Sequence, residues 1–316
     1  MVSAYSPAQL TKYLKYLALP AAYEPWIQSP ASYPKTEEAL TTLFRGQITR
    51  FPYDNLDVHY AATSDVNIDP QAIYSKLMGV GESEPSGRGG YCLECSIFFS
   101  HVLRGLGFDV YSTGVRNRPR ENGVPAGEFF GWTHIVNIVR LPSGVEYHVD
   151  AAFGGDGPTR PLPLISGQTS KNLGPQEVRL VYGNMAKQTR PEQKVWMYQY
   201  RNGVDREWNT FYSFAELEFF QEDFEVINRF TSWDALTKRN RWVVKFIRAG
   251  ETGQFPLLEG EVKDVDDGVQ VVGKVMFVND VVKLNMGGKT RVIDTIETDR
   301  ARVAALKKWF SLDIVI

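Results

Sequence analysis

Apolar positions in the first hundred residues recur at intervals of three and four, the spacing of one helix face. Segments 8–18, 36–48, 70–78 and 92–106 carry this pattern, separated by breaks that contain Pro and Gly. Ser6-Pro7 supplies an N-cap and a first helical residue, and Leu10, Tyr13, Leu14 and Leu17 form the stripe behind it. From Phe108 the period falls toward two. Segments 109–115, 133–141, 145–149, 177–181 and 194–200 read as strands with Gly/Pro turns between them, which predicts an antiparallel barrel or sandwich. Helical spacing returns at 214–229 and 233–239. A meander over 261–265, 268–272, 274–278, 281–285 and 289–293 follows, and a helix over 298–310 closes the chain with Val303, Leu306 and Phe310 on one face. Helix, then sheet, then sheet plus helix is an α+β arrangement. It predicts a helical domain over 1–107, an antiparallel β-barrel over 108–200, an interdomain segment over 201–230 and an α/β lid over 231–316. The softest joint falls at 201–209, which is polar and contains Gly203.

Composition narrows the function. The chain has 316 residues, enough to bury a core without disulfides or metals. Its 35 basic and 37 acidic residues give a net charge of -2, so charge offers no reason to expect nucleic acid or an anionic membrane as partner. No apolar run approaches the roughly 20 residues of a bilayer span. Residues 1–20 lack a signal-peptide pattern, and Val2 stands where myristoylation would need Gly. The only cysteines are Cys92 and Cys95, which rules out a disulfide scaffold and makes the reducing cytoplasm the expected compartment.

Those cysteines lie in the most informative stretch, Arg88-Gly89-Gly90-Tyr91-Cys92-Leu93-Glu94-Cys95. Two glycines lead the backbone into a helix whose first turn holds Cys92. Unpaired N–H groups and the dipole favour an anion there, so the thiol is expected to ionise below the free value of about 8.5. The same N–H groups are placed to receive an oxyanion. The alternative is two small residues that simply pack, and for Cys95, one turn further in, packing is the expectation. A redox Cys-x-x-Cys pair belongs after a strand in a βαβ unit, and here loop and helix precede it. Structural zinc needs four ligands, and His101 is the only histidine nearby, so no metal is expected.

Of the four histidines, His59 falls in a polar loop, His101 follows Phe99 on the Cys92 helix in a packed or surface role, and His148 alternates with Tyr147 and Val149 without a defined side. His134 opens the strand 132–139, which returns through Leu141-Pro142-Ser143-Gly144 into 145–150. If Leu141 pairs with Val145 across a three-residue loop, Val136 faces Asp150. His134 then lies diagonal to Asp150 on one face, about 7–8 Å away at the backbone. A two- or four-residue loop would put the two on opposite faces. An acid that orients a histidine beside a cysteine is the logic of a nucleophilic triad. The alternative is that Asp150 only opens the Gly-rich turn 153–158. Gly288-Lys289-Thr290 lacks the first Gly of a phosphate-binding loop and reads as a hairpin turn. Arg116, Arg118 and Arg120 form a basic run that reads as a solvated loop, with an anion site as the alternative.

Together these segments resemble the arylamine N-acetyltransferases. Arg88-Gly89-Gly90-Tyr91-Cys92, Thr133-His134 and Val149-Asp150-Ala151-Ala152-Phe153-Gly154 look like that family's three signatures. Phe51-Pro52-Tyr53-Asp54-Asn55-Leu56 is similar to its Pro-Phe-Glu-Asn-Leu segment. Tyr212-Ser213-Phe214 and Asp223-Phe224-Glu225-Val226-Ile227-Asn228 also resemble family sequence, and length and inserts are similar to fungal members. The resemblance implies a Cys92–His134–Asp150 triad, with Arg88 and Asp54 paired beneath it. It implies that Tyr53 and Phe153 line the acceptor pocket, that Gly131 and Tyr212 lie near the coenzyme, and that Gly154 binds substrate or coenzyme. Asp54 departs from the family's commoner Glu, and 117–129 is a longer insert than in many relatives.

The implied reaction is ping-pong acyl transfer from acetyl- or propionyl-coenzyme A, through a Cys92 thioester, to an arylamine, arylhydrazine or arylhydroxylamine. Coenzyme A thioester and aromatic amine are the expected partners, and no tightly bound cofactor is expected. Malonyl-coenzyme A is the alternative donor; its extra carboxylate would need a fixed cation near the thiol. A Cys hydrolase of papain or transglutaminase type would use the same order of residues, and a binding module with an idle triad is the non-enzymatic alternative.

Overall fold

Ser6 starts the first helix by a reciprocal cap: its hydroxyl accepts from Gln9 N, and the Gln9 carboxamide accepts from Ser6 N. The computed structural model describes residues 2–61, 66–81, 83–261 and 269–314. Helices α1 (Pro7–Leu17), α2 (Glu24–Ile27) and α3 (Glu37–Arg50) lead to a two-residue strand, β1 (Tyr53–Asp54). Then come α4 (Leu56–Tyr60), α5 (Pro70–Met78) and α6 (Cys92–Gly105). His59 therefore lies on α4 rather than in a loop, with Nε2 2.9 Å from the Asn240 carbonyl oxygen. Residues 92–103 are all buried, which makes α6 the axis of this layer. The ring of Phe98 on α6 meets Tyr13 and Phe51 at 5.5 and 5.3 Å.

The strands that follow are β2 (Asp109–Asn117), β3 (Arg120–Glu121), β4 (Val124–Pro125), β5 (Trp132–Arg140) and β6 (Glu146–Val149). They continue as β7 (Leu162–Pro163), β8 (Thr169–Lys171), β9 (Glu177–Gly183), β10 (Val195–Arg201) and β11 (Asn209–Phe214). Apart from the separate β3–β4 ribbon, they form an antiparallel sheet in the order β7-β6-β5-β2-β11-β10-β9-β8. Gly167 N beyond β7 donates to Leu180 O on β9 at 2.7 Å, drawing the two ends together. Along β5 and β6, odd positions such as Ile135, Val139 and Val149 pack on the helices, while Val136 and Ile138 join Tyr198, Tyr212 and Phe214 inside the barrel. The β5–β6 register is Asn137↔Val149 through Arg140↔Glu146, and Leu141 N donates to Val145 O at 3.0 Å. Residues 142–144 form the expected three-residue loop.

Several expectations need correction. Residues 201–209 are not a joint between domains. They connect β10 to β11, which pair antiparallel, and β11 pairs also with β2, so the barrel runs to Phe214 rather than stopping at 200. The aromatic positions of Phe211, Tyr212 and Phe214 fit a half-filled barrel wall better than a helix. Segments 214–229 and 233–239 are replaced by a single helix, α7 (Gln221–Lys238), that starts after Phe220. Strand β12 (Trp242–Arg248) escaped the sequence reading because it is covered on both faces and does not alternate. Segments 268–272 and 274–278 are replaced by one strand, β13 (Val271–Val278). Gly273 between them marks close packing on Met286 instead of a turn. The strand expected at 261–265 lies largely outside the described residues. Strands β14 (Val281–Asn285) and β15 (Arg291–Thr295), joined through Gly287-Gly288, and α8 (Asp299–Phe310) complete the lid.

The lid sheet has the order β1-β12-β13-β14-β15, so it borrows its edge from the helical layer. Tyr53 and Asp54 pair with Val244 and Val243 on one side. On the other, Tyr53 bridges to Gly90, and Asp54 N donates to Gly90 O at 2.9 Å. A Cβ on Gly89 would overlap the Pro52 carbonyl oxygen, so only glycine permits this approach. Gly89→Ala is therefore expected to lower stability by about 3 kcal/mol. Gly288→Ala, with open space at its Cα, should stay within about 0.5 kcal/mol. Urea midpoints of the two variants check the difference.

Candidate active site

Cys92 opens α6 and is 8% exposed. Beneath it runs a chain of alternating charges. Arg88 Nη2 lies 3.2 Å from Asp54 Oδ1 and 2.7 Å from Asp57 Oδ1, and Lys76 Nζ bridges Asp57 at 2.5 Å and Glu94 at 2.7 Å. Glu94 Oε2 accepts from Tyr91 N at 3.0 Å, and Asp54 Oδ2 accepts from Gly89 N at 3.3 Å. The Arg88–Asp54 pair implied by the sequence is present. Asp57, Lys76 and Glu94 were not foreseen, although Asp57 follows Asp54 by three residues and Glu94 stands at the third residue of a helix. Burial raises the Glu94 pKa above its ordinary range despite Lys76 beside it. For Arg88, burial pulls the pKa down, but Asp54 and Asp57 outweigh it and the net direction is up.

The odd loop brings His134 and Asp150 onto one face. His134 Nε2 is 2.9 Å from Asp150 Oδ2, and both side chains are almost wholly buried. Asp150 Oδ1 accepts from Ala152 N at 3.1 Å. Cys92 lies close enough to the His134 ring to act on it electrostatically, so the three residues form one connected set. Burial alone would make the imidazole a weaker base. The Asp150 charge, its hydrogen bond and Cys92 overcome this and raise the His134 pKa to about 10. Burial likewise works against the Asp150 carboxylate, and His134 overrides it, holding the pKa below the usual range. Cys95 differs: burial pushes its thiol pKa far up, and Sγ donates to Gly90 O at 3.3 Å.

Around this set, the Phe153 ring lies 5.3 Å from the His134 ring. Tyr53 is half-buried, and burial together with the adjacent Cys92 pushes its phenol pKa well up. Gly154, at φ +67°, faces Val244 and Tyr53, which a Cβ there would meet at 3.9 and 4.0 Å. Gly131 is exposed at the entry of β5. Tyr212 requires correction. It is fully buried, and its hydroxyl donates to Asp150 Oδ2 at 2.8 Å, so it lies behind the triad and not against a coenzyme. The basic run is engaged: Arg116 stacks on Trp132 at 4.0 Å, Arg118 donates to Gly127 O at 3.0 Å, and Arg120 pairs with Asp156 at 2.5 Å. Lys274 on β13, unforeseen, is buried with Nζ on Gly155 O. No cluster of three or more metal-ligating side chains occurs among the described residues.

A His134 that holds its proton to about pH 10 keeps a cation beside Cys92 throughout the neutral range. An anionic sulfur is stabilised while that cation exists and loses this support once pH rises through the His134 value. Iodoacetamide alkylation of Cys92 should therefore draw on the His134 cation across the neutral range. His134→Gln should slow it at least tenfold at pH 6, with the two rates converging above about pH 10. Alkylation of the wild type only above about pH 8 would show that the pair does not act in this way.

A family model described as N-acetyltransferase matches residues 36–253. An N-malonyltransferase of Fusarium pseudograminearum is 26% identical over 98% of this chain and 90% of its own length. The liver isozyme of arylamine N-acetyltransferase from Gallus gallus is 32% identical over 43% of this chain and 44% of its own. Among solved structures, the arylamine N-acetyltransferase of Mycobacterium tuberculosis superposes with a TM-score of 0.71 at 22% identity, covering 96% of this chain and 94% of that one. The Mycobacterium marinum enzyme in complex with CoA gives 0.68 at 23%, covering 96% and 93%. With the model spanning more than half its length, the chain belongs to the arylamine N-acetyltransferase family.

Proposed function

We propose that the protein moves an acyl group from a coenzyme A thioester to the nitrogen of an aromatic amine, hydrazine or hydroxylamine, through a thioester on Cys92. The observation that carries this reading is the connected set Cys92–His134–Asp150 at the start of α6. In the first half-reaction the Cys92 sulfur attacks the thioester carbonyl. Backbone N–H groups of the first helical turn face the developing oxyanion. The coenzyme thiolate leaves and takes the proton held by His134. In the second, the amine attacks the acyl-cysteine, His134 receives the amine proton, and the Cys92 thiolate departs. Asp150 keeps the imidazole oriented in both steps. Tyr53 and Phe153 provide apolar walls for an aromatic acceptor, and a largely dry site protects the acyl-enzyme from water. Cys92 acts only as a reduced thiol, which fits the cytoplasm.

For the donor, acetyl- or propionyl-coenzyme A fits a site whose neighbouring arginines already have partners. A second reading, malonyl-coenzyme A, is favoured by relatives such as the Fusarium enzyme, an N-malonyltransferase that aligns with nearly the whole chain. Intact-protein mass spectrometry after separate exposure to the three thioesters decides between them. The expected result is a single acyl group on Cys92, formed fastest from acetyl- or propionyl-coenzyme A; faster acylation by the malonyl donor establishes the second reading. Cys92→Ala should abolish acylation, and Cys95→Ala should retain most of it. Equal loss in two folded variants would remove Cys92 from its role. Acylation by a peptide amide and not by a thioester would identify a hydrolase.

A further inference from the structure

We propose that His148 is a positioning residue of the triad, whose Nε2–H fixes the Tyr212 hydroxyl so that the hydroxyl proton is given to Asp150. The proposal deepens the triad reading above and rests on it. His148 and Asp150 occupy the same face of β6 and its continuation, and His148 is fully buried inside the barrel. The Tyr212 oxygen lies 2.8 Å from His148 Nε2 and 2.8 Å from Asp150 Oδ2.

One hydroxyl proton must serve two neighbours. If Tyr212 donated to His148, its oxygen lone pairs would face an ionised carboxylate at 2.8 Å, and His148 would carry its own proton on Nδ1. That atom is buried without a hydrogen-bond partner, and the one acceptor near it is the residue's own carbonyl. In the opposite arrangement Nε2–H donates to the Tyr212 oxygen and the hydroxyl donates to Asp150. Nδ1 is then a bare lone pair, the less costly group to leave unpaired. Asp150 thus accepts from His134, Tyr212 and Ala152, and the His148 ring sets the direction of the second of these. The ring itself is held, 5.1 Å from Phe214 and 6.0 Å from Tyr198 in stacked geometry. The titratable groups around it are Asp150, His134, Tyr198 and Tyr212. Burial keeps it neutral, with a pKa lowered to about 4.

Long-range proton–nitrogen NMR spectra of the labelled, unmodified protein read the tautomer directly and need no activity. The expected result is a neutral His148 protonated on Nε2 from about pH 5.5 to 8. A proton on Nδ1, or titration near the ordinary value of about 6.5, overturns the proposal. Two variants give a second readout. His148→Gln can place a carboxamide N–H where Nε2–H stood; His148→Phe keeps the ring and removes the donor. Acylation of Cys92 should slow about tenfold in His148→Phe, the loss of one hydrogen bond, and stay within threefold of wild type in His148→Gln. The proton between His134 and Asp150 should move downfield only in His148→Phe, because the Tyr212 hydroxyl, no longer polarised and held by Nε2–H, then competes less strongly for Asp150. Equal losses in both variants, or no change in His148→Phe, overturn the proposal. Failure of the wild type to acylate at all would instead refute the triad reading, while the tautomer spectrum would still report on His148.

Discussion

A carboxylate in a dry interior must be met by donors on every side, and the buried Asp150 imposes that constraint on this fold. Its donors come from three directions: β5 through His134, β11 through Tyr212, and its own loop through Ala152. Meeting all three requires the β5–β6 hairpin in its present register and β11 inside the barrel. A one-residue slip at residues 142–144 would turn His134 outward and leave the charge unpaired. The barrel therefore does more than supply a rigid wall. Its closure brings Tyr212 beneath an acid sixty-two positions away in sequence.

The nucleophile has a separate foundation. Cys92 rests on a helix whose entry is fixed by Gly89-Gly90 against Pro52–Asp54 and by the charges of Arg88, Asp54, Asp57, Lys76 and Glu94. Isolated surface pairs contribute little, but this network is largely shielded, and removing one member would strand its neighbours. Asp54 has one methylene fewer than the family's commoner glutamate, and Asp57 supplies the second carboxylate to Arg88. Meanwhile Cys95, its sulfur 3.3 Å from the same Gly90 carbonyl oxygen, is tied to the backbone by its thiol. Two cysteines three residues apart thus have opposite fates, decided by helix position and by which of them reaches His134.

Much of this was legible in the sequence where local signals agree with the global fold. Ser6-Pro7 and the apolar stripes marked helices, and the parity of 134 and 150 fixed one face of a hairpin without coordinates. The errors arose where periodicity is silent. Strand β12 is covered on both sides and shows no alternation, and Gly273 imitated a turn because it packs on Met286. The polar stretch 201–209 resembled a linker although its ends are hydrogen-bonded neighbours. At the site, motif residues were readable, but Tyr212 was assigned to the wrong side of Asp150. Nothing in a linear sequence shows that an aromatic sixty-two positions away closes over the acid from inside.

The two-residue strand β1 is shared between the helical layer and the lid, and this has a consequence for how the enzyme is made. Asn55 N donates to Trp242 O, and the Asn55 carboxamide reaches Asn240 O, so the seam beneath Cys92 is finished by residues nearly 190 positions downstream. Synthesis delivers the chain from its N-terminus. The helices and barrel emerge first, with β1 still an open edge, and β12 docks against it only later. Pairings so distant in sequence are slow to close. On a ribosome the thiol is complete in composition long before its surroundings are complete in shape, and a chain cut short before β12 would carry every residue of the triad on an unfinished seam.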